Sequence, residues 1–569
     1  MPAPDASQPT VHHAARVATG SRVSVSARAG DTEALRTRWA LLVALAGGLV
    51  LAAAFPPAGA WPLAAVGPAL LTVALAGRSL RASLAVGLVF GMAFFFPLLS
   101  WTLNVAWYAW IALAVASTVI LGVLTIGQRL LLRLPGWPFA VAGWWVAAEA
   151  LRDRWPWGGF PWGRIAMSQA GAVTQGWAAI AGTPALTFVV ALAGAVLAWL
   201  LLTLLLTLRA QRLPGSTGSL PARRTPSGRR RVALAGLALA GSAGLAALPA
   251  ALSLDPVPAG SATAEVAAIQ GDVPQARTLA AQLNAYMVTA NHVAATKKLA
   301  QDVQKGARPS PDLVIWPENS TDIDPTLYAP VYQQISSAAA AINRPILVGA
   351  VLQNPVRNAG LLWLPGTGPT EMYVKRRLVP FGEVIPFRSV LEKITPLTAL
   401  QPVDFTAGHA NHVFRVGQIR LGDVICYEIG FDDLVRSGVA DGANLLTMQT
   451  NDATFERDGQ TGETGQQLAM ARIRAVEHDR AVVVASTTGY SAIIAPDGRL
   501  ITSSGTWRQA ELEARVPLVD YTTLADRIGA WPEYVIVAAT IAAVVVAAAG
   551  SLIAARSRRE GIHSQPHGA

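Results

Sequence analysis

The chain has 569 residues, of which 52% are apolar and 14% charged, with a formal net charge of +10. A soluble domain carries roughly 25% charged residues, so a wholly soluble protein is excluded and a membrane protein is indicated. The excess charge is mostly arginine in short loops and near the termini, and no basic stripe interleaved with aromatics accompanies it, which argues against a nucleic-acid partner.

Residues 1–36 read as a disordered arm, too long and too polar for a simple signal peptide. A helix needs roughly 20 apolar residues to cross a bilayer. Eight such runs are expected, at 39–55, 61–77, 82–101, 105–126, 137–151, 177–208, 232–252 and 531–555, many with Trp at an end. The run 137–151 is short. The run 177–208 is overlong, which predicts an interfacial turn before Pro184. Arg36 and Arg38 precede the first run, Arg78 and Arg81 follow the second, and Arg129 and Arg133 follow the fourth. More arginines fill the loop after the sixth run, and Arg556, Arg558 and Arg559 follow the eighth. With eight spans all of these share one side, predicted to be cytoplasmic, although the loop 152–164 departs mildly from the rule.

The predicted organisation is an arm (1–36), a six-span bundle (37–208), a basic cytoplasmic linker (209–231), a seventh span (232–252), an extracytoplasmic domain (261–518), an eighth span (531–555) and a cytoplasmic tail (556–569). The 261–518 segment is close to neutral and long enough for one sizeable domain. Strands are expected at 263–269, 313–315, 345–351, 360–364, 372–374, 412–415, 420–425, 445–449, 481–486 and 491–495. Helices are expected at 280–300, 331–342 and 465–479. That alternation predicts an α/β sheet with helix-covered faces.

Three residues end apolar runs in this domain: Glu318, Lys375 and Cys426. Strand C-terminal ends are where α/β sheets place ligands. Cys426 is the only cysteine, and two readings stand for it. It is a small buried hydrophobe, or a nucleophile once a base takes its proton. In the second reading Glu318 is that base, Lys375 stabilises thiolate and oxyanion, and the backbone N–H after Cys426 adds an oxyanion donor. In the first, Glu318 and Lys375 form an ordinary surface ion pair. Asp322-Ile323-Asp324 and the pair His409 and His412 fit an acidic turn and a polar loop better than metal sites. No metal and no cofactor is expected.

Trp316-Pro317-Glu318, the run Lys375 to Glu383, and Cys426-Tyr427-Glu428 resemble the three catalytic motifs of the nitrilase superfamily. More narrowly they resemble its membrane branch, the apolipoprotein N-acyltransferases. Gln270 to Gln275, Asn451-Asp452-Ala453, Met470 to Glu477, and Phe160-Pro161-Trp162 after Glu149 and Arg152 extend the resemblance over nearly the whole chain. It implies an α-helical bundle of eight transmembrane helices carrying an extracytoplasmic α/β nitrilase-like αββα sandwich, in a bacterial cell membrane. It also implies Glu318 as general base, Lys375 as oxyanion stabiliser and Cys426 as nucleophile. Glu383 would be a supporting carboxylate, with Tyr427 and Glu428 flanking the nucleophile. The implied reaction moves an acyl chain from a phospholipid, through a thioester on Cys426, to the N-terminal amine of a diacylated apolipoprotein. A membrane-tethered amidase using the same triad is the alternative. Two departures stand out: Thr454 replaces an aromatic after Asn-Asp-Ala, and Ser486-Thr487-Thr488-Gly489 replaces an Asn-bearing motif. The aromatic run Phe94-Phe95-Phe96 is a candidate lipid access route, weighed against simple packing.

Overall fold

The computed structural model describes residues 35–211, 228–251, 257, 260–273, 281–457 and 459–563. Most of the expected arm and basic linker, Pro274 and Gln275 of the opening motif, and the end of the tail lie outside the described residues. The apolar runs form α1 (Thr37–Ala52), α2 (Leu63–Leu75), α3 (Leu80–Leu98), α4 (Trp107–Leu131), α5 (Trp137–Arg152), α6 (Trp177–Gln211) and α7 (Gly228–Ala251). By length and apolar composition α3, α4, α6, α7 and the final helix can cross a membrane, whereas α1 and α2 are shorter apolar helices. The short run 137–151 is a helix of 16 residues. The overlong run breaks where expected: Ala181 and Gly182 leave helical geometry just before Pro184.

The second domain runs β1 (Thr263–Gln270), α8 (Ala281–Gln304), β2 (Leu313–Ile315), α9 (Ala329–Ile342), β3 (Ile346–Leu352), β4 (Arg357–Leu364) and β5 (Gly368–Val374). It continues with α10 (Arg388–Leu391), β6 (Val413–Val416), β7 (Ile419–Ile425), α11 (Asp432–Ala440), β8 (Leu445–Thr450) and α12 (Gly462–His478). β9 (Val482–Ser486), β10 (Ala492–Ile494), β11 (Leu500–Ser503), β12 (Ala510–Pro517), α13 (Leu524–Ile528) and α14 (Trp531–His563) complete it. The strands form two six-stranded sheets, ordered β12-β1-β2-β3-β4-β5 and β11-β10-β9-β8-β7-β6.

Val266, Leu313, Leu347 and Leu362 of one sheet pack on Leu421, Leu445, Val483 and Ile493 of the other in a single apolar core. α8 and α9 cover the outer face of the first sheet through Val293, Leu299, Val331 and Ile335. α11 and α12 cover the second through Leu434, Val435, Met470 and Ile473, and that layer is continuous with the core of the helical bundle. The layering is therefore helix–sheet–sheet–helix, with the inner helix layer seated on the bundle. Strands buried on both faces read as unbroken apolar runs, which is why β1, β2, β3, β4, β7, β8, β9 and β10 stand out in the sequence. β11, β12, α10, α11 and α13 were not expected. β12 alternates Glu511, Glu513 and Arg515 with smaller residues. It lies at a sheet edge, where a half-exposed strand loses its apolar signature.

Candidate active site

Glu318, Lys375 and Cys426 come from three strand ends, as expected. Glu318 follows β2, Lys375 follows β5, and Cys426 follows β7. All three are buried. The Glu318 segment passes tightly over β3. A Cβ on Gly349 would lie 2.2 Å from the Pro317 carbonyl oxygen and 2.7 Å from the Glu318 Cα, so only glycine admits this backbone path. Lys375 Nζ donates to Glu318 Oε1 and to Glu383 Oε1, each at 2.9 Å. Asn358 on β4 donates to the same two oxygens, at 2.6 and 3.0 Å. The backbone N–H of Asn451 holds the other Glu318 oxygen at 3.0 Å, and that of Val379 holds Glu383 Oε2 at 2.8 Å. The surface ion-pair reading of Glu318 and Lys375 is thus excluded by burial. Asn358 was missed in the sequence; its only signal is an amide inside an apolar strand.

Cys426 adopts φ +53°, a left-handed conformation that costs a non-glycine residue energy and recurs at functional turns. Glu428 secures that turn. It accepts the N–H groups of Ile425 (2.9 Å), Arg376 (2.7 Å) and Arg377 (3.0 Å) and the hydroxyl of Tyr373 (2.9 Å). One carboxylate thus ties the Cys426 turn to the loop that follows Lys375, so Glu428 is committed to geometry.

Burial lifts the Cys426 thiol well above the ordinary range; Glu318 adds to this and Lys375 opposes it. Burial also raises Glu318, with Lys375 acting against it. Burial disfavours the Lys375 ammonium, but Glu318 and Glu383 outweigh it and hold its pKa well above the usual lysine value. The thiol therefore lies beside Glu318, whose oxygens can take its proton, and beside the fixed positive charge of Lys375. That is the equipment for attack on a carbonyl carbon.

The turn is also bolted to the bundle. Tyr427 donates from its hydroxyl to the Gly159 carbonyl at 2.6 Å and stacks on Trp162 at 5.6 Å. Trp162 in turn stacks on Phe160. Below this, Arg164 binds Asp432 through two nitrogens (2.7 and 3.0 Å) and Asp153 at 3.1 Å. Arg474 binds Asp432 at 2.6 Å and Glu477 at 2.5 Å, and caps the Ile429 carbonyl at 2.9 Å. Burial works against the Asp432 charge, but Arg164 and Arg474 hold its carboxyl well below the usual range. A Cβ on Gly430 would sit 2.5 Å from Pro161, so the two units meet backbone to side chain there. Phe94 and Phe95 are buried among Phe55, Phe90 and Arg152, which is the packing outcome. After Thr454, the next residue Phe455 packs on Trp101 at 5.5 Å, so an aromatic does reach the bundle from this loop. Asp324 caps a turn through the Thr326 and Gln353 N–H groups.

The carbon–nitrogen hydrolase family matches residues 266–526, and the apolipoprotein N-acyltransferase N-terminal domain matches 47–196. The chain is 38% identical to an apolipoprotein N-acyltransferase of Mycolicibacterium smegmatis, over 94% of this chain and 90% of that one. It is 30% identical to one of Azotobacter vinelandii, over 86% and 92%. Among solved structures it is similar to an amidase from Nesterenkonia sp., with 19% identity, 46% of this chain and 92% of that one covered, and a TM-score of 0.33. By its identity to these relatives along nearly its whole length, the chain belongs to the apolipoprotein N-acyltransferase family.

Proposed function

We propose that Cys426 carries an acyl chain between a membrane phospholipid and the α-amino group of a lipoprotein's N-terminal diacylglyceryl-cysteine. The observation that carries this reading is a buried thiol with a carboxylate–ammonium pair, on a turn fastened directly to a helical bundle. Glu318 takes the thiol proton as sulfur attacks the donor ester carbonyl. The C–O bond breaks, and Glu318 returns the proton to the leaving glycerol oxygen, releasing a lysophospholipid. The acceptor amine then attacks the thioester, the C–S bond breaks, and Glu318 moves the amine proton to the departing sulfur. Lys375 and the N–H of Tyr427 are placed to receive the oxyanion in both halves. Glu383 and Asn358 hold Lys375 and Glu318 in register, Glu428 holds the turn, and Tyr427 aims it at the bundle.

The eight helical runs would all lie in the bacterial membrane, with the catalytic domain on the extracytoplasmic side, in keeping with the arginine distribution. Segments 375–388 and 457–465 would cover the thiol. Phe381, Phe387 and Ile394 leave half or more of their surface open, up to 72%. Phe381 meets Trp157 of the bundle loop edge to face. Such open apolar side chains suit a surface bathed in lipid. A tethered amidase would need the same triad but not a bundle fastened to the nucleophile turn.

The test is mass spectrometry of the protein incubated with phospholipid alone. An acyl adduct on Cys426 is expected, stable in buffer and lost on adding a diacylated lipopeptide with a free N-terminus. Equal loss with and without lipopeptide would favour the amidase. Labelling of single cysteines introduced into a Cys426→Ser background, with an impermeant reagent on intact cells, tests the side. Protection of the domain surface would invert the topology.

A further inference from the structure

Burial and Glu318 both oppose formation of a thiolate on Cys426, so the turn needs hydrogen-bond donors aimed at sulfur besides the Lys375 charge. α12 supplies one. Gln467, on the second turn of that helix, places Nε2 at 3.5 Å from Cys426 Sγ, within the reach of an N–H···S contact. Its neighbours decide which way the amide faces. Thr450 Oγ1 lies 2.8 Å from Gln467 Oε1 and also faces Asp452 Oδ1 at 3.2 Å. On the other side Nε2 also donates to Glu463 Oε1. Glu463 is buried with its Oε2 lacking a partner of ordinary kind. Burial first, then Asp452, push its pKa well above the ordinary carboxyl range. Asp452, in turn, accepts from Ser486 at 2.5 Å.

We infer that Gln467 is a further catalytic residue: its side-chain N–H donates to Cys426 sulfur and stabilises the thiolate. It would act twice in each cycle, when sulfur loses its proton before acylation and when sulfur leaves from the second tetrahedral intermediate. The groups facing the thiol are then Glu318 on the β2 end, Lys375 on the β5 end, and Glu463 with Gln467 on α12. Glu383 acts through Lys375, and Asp452 and Glu456 act through Glu463. Glutamine has no charge to announce itself, so the sequence gives no hint of this role.

The inference rests on the thiol chemistry proposed above, and its test needs neither phospholipid nor lipopeptide. Cys426 is the sole cysteine, so iodoacetamide uptake by the full-length protein in detergent reports that thiol alone. The rate is followed against pH. Gln467→Leu is expected to move the midpoint upward by about one pH unit, a loss of about tenfold in thiolate at fixed pH. Should Gln467→Leu fail to fold, the isosteric Gln467→Glu replaces it and is expected to shift the midpoint further in the same direction. A folded variant with the wild-type midpoint would overturn the assignment. A failed transfer assay leaves this readout intact, so the two readings fall separately.

Discussion

The proposed catalytic centre and the junction between domain and bundle are both buried and both charged, yet they are built from different cations. At the junction two arginines, Arg164 and Arg474, enclose Asp432, with Asp153 and Glu477 as outer partners. A guanidinium is a rigid fork that fixes carboxylate geometry, and it does not titrate in the working range. At the centre one lysine serves two carboxylates, and burial raises both Glu318 and the thiol. A lysine is a point charge on a flexible stem, so it stabilises whichever neighbour is negative. The junction holds a shape; the centre, in the proposed reading, holds a movable proton.

The sharpest way to separate them is to remove the thiol. Cys426→Ala and Cys426→Ser are expected to abolish acyl transfer while leaving thermal unfolding in detergent close to wild type. Residual transfer by the alanine variant would show that the nucleophile lies elsewhere. Next in size, Lys375→Ala and Glu318→Ala should each slow acyl-enzyme formation by orders of magnitude, since one lost oxyanion donor costs about 10²–10³-fold. Lys375→Arg should not restore the rate, because a fork cannot sit between Glu318 and Glu383 as an ammonium does. An active arginine variant would erase the distinction between the two cations.

The reverse experiment breaks the junction. Asp432→Ala removes the carboxylate the two arginines share and leaves Arg164 with Asp153 and Arg474 with Glu477, so the loss should stay below the about 3–5 kcal/mol of a buried charge left wholly unpaired. The unfolding temperature should fall clearly. In protein that remains folded, alkylation of Cys426 should keep its pH midpoint while transfer weakens, because the junction aims the turn and does not react. An unchanged unfolding temperature would mean that these ion pairs contribute little.

This contrast also explains what was legible in the sequence. Glu318, Lys375 and Cys426 stand at the ends of apolar runs, and a titratable residue in that place is conspicuous. Glu428 and Tyr427 are visible beside the thiol, but their work is not, since it depends on backbone N–H groups and a bundle loop far away in sequence. Asn358 and Gln467 were invisible as site residues because neutral amides inside regular elements look like any other polar residue. Arg164 and Arg474 pair across a separation that no local pattern reports. The helical runs were legible as hydropathy. α1 and α2 nevertheless end sooner than their apolar stretches, α1 ahead of Pro56 and Pro57 and α2 ahead of Gly77, whose φ is +76°.

The smallest expected effect concerns an acid at the margin of the centre. Glu456 lies in the loop between β8 and α12 and accepts the Thr464 N–H at 2.7 Å. Burial first, then Asp452, push its pKa from 4.5 up to about 8. An acid with a raised pKa binds its proton more tightly folded than unfolded. Between those two values the native state therefore carries more protons, and stability falls as pH rises. The contribution is fully present below about 4.5 and gone above about 8. Glu456→Gln replaces the acid with a neutral group of the same shape. Thermal unfolding of both proteins from pH 5 to 8 should show wild type losing ground to the variant as pH rises. A constant difference across that window would mean that Glu456 is already ionised in the folded protein.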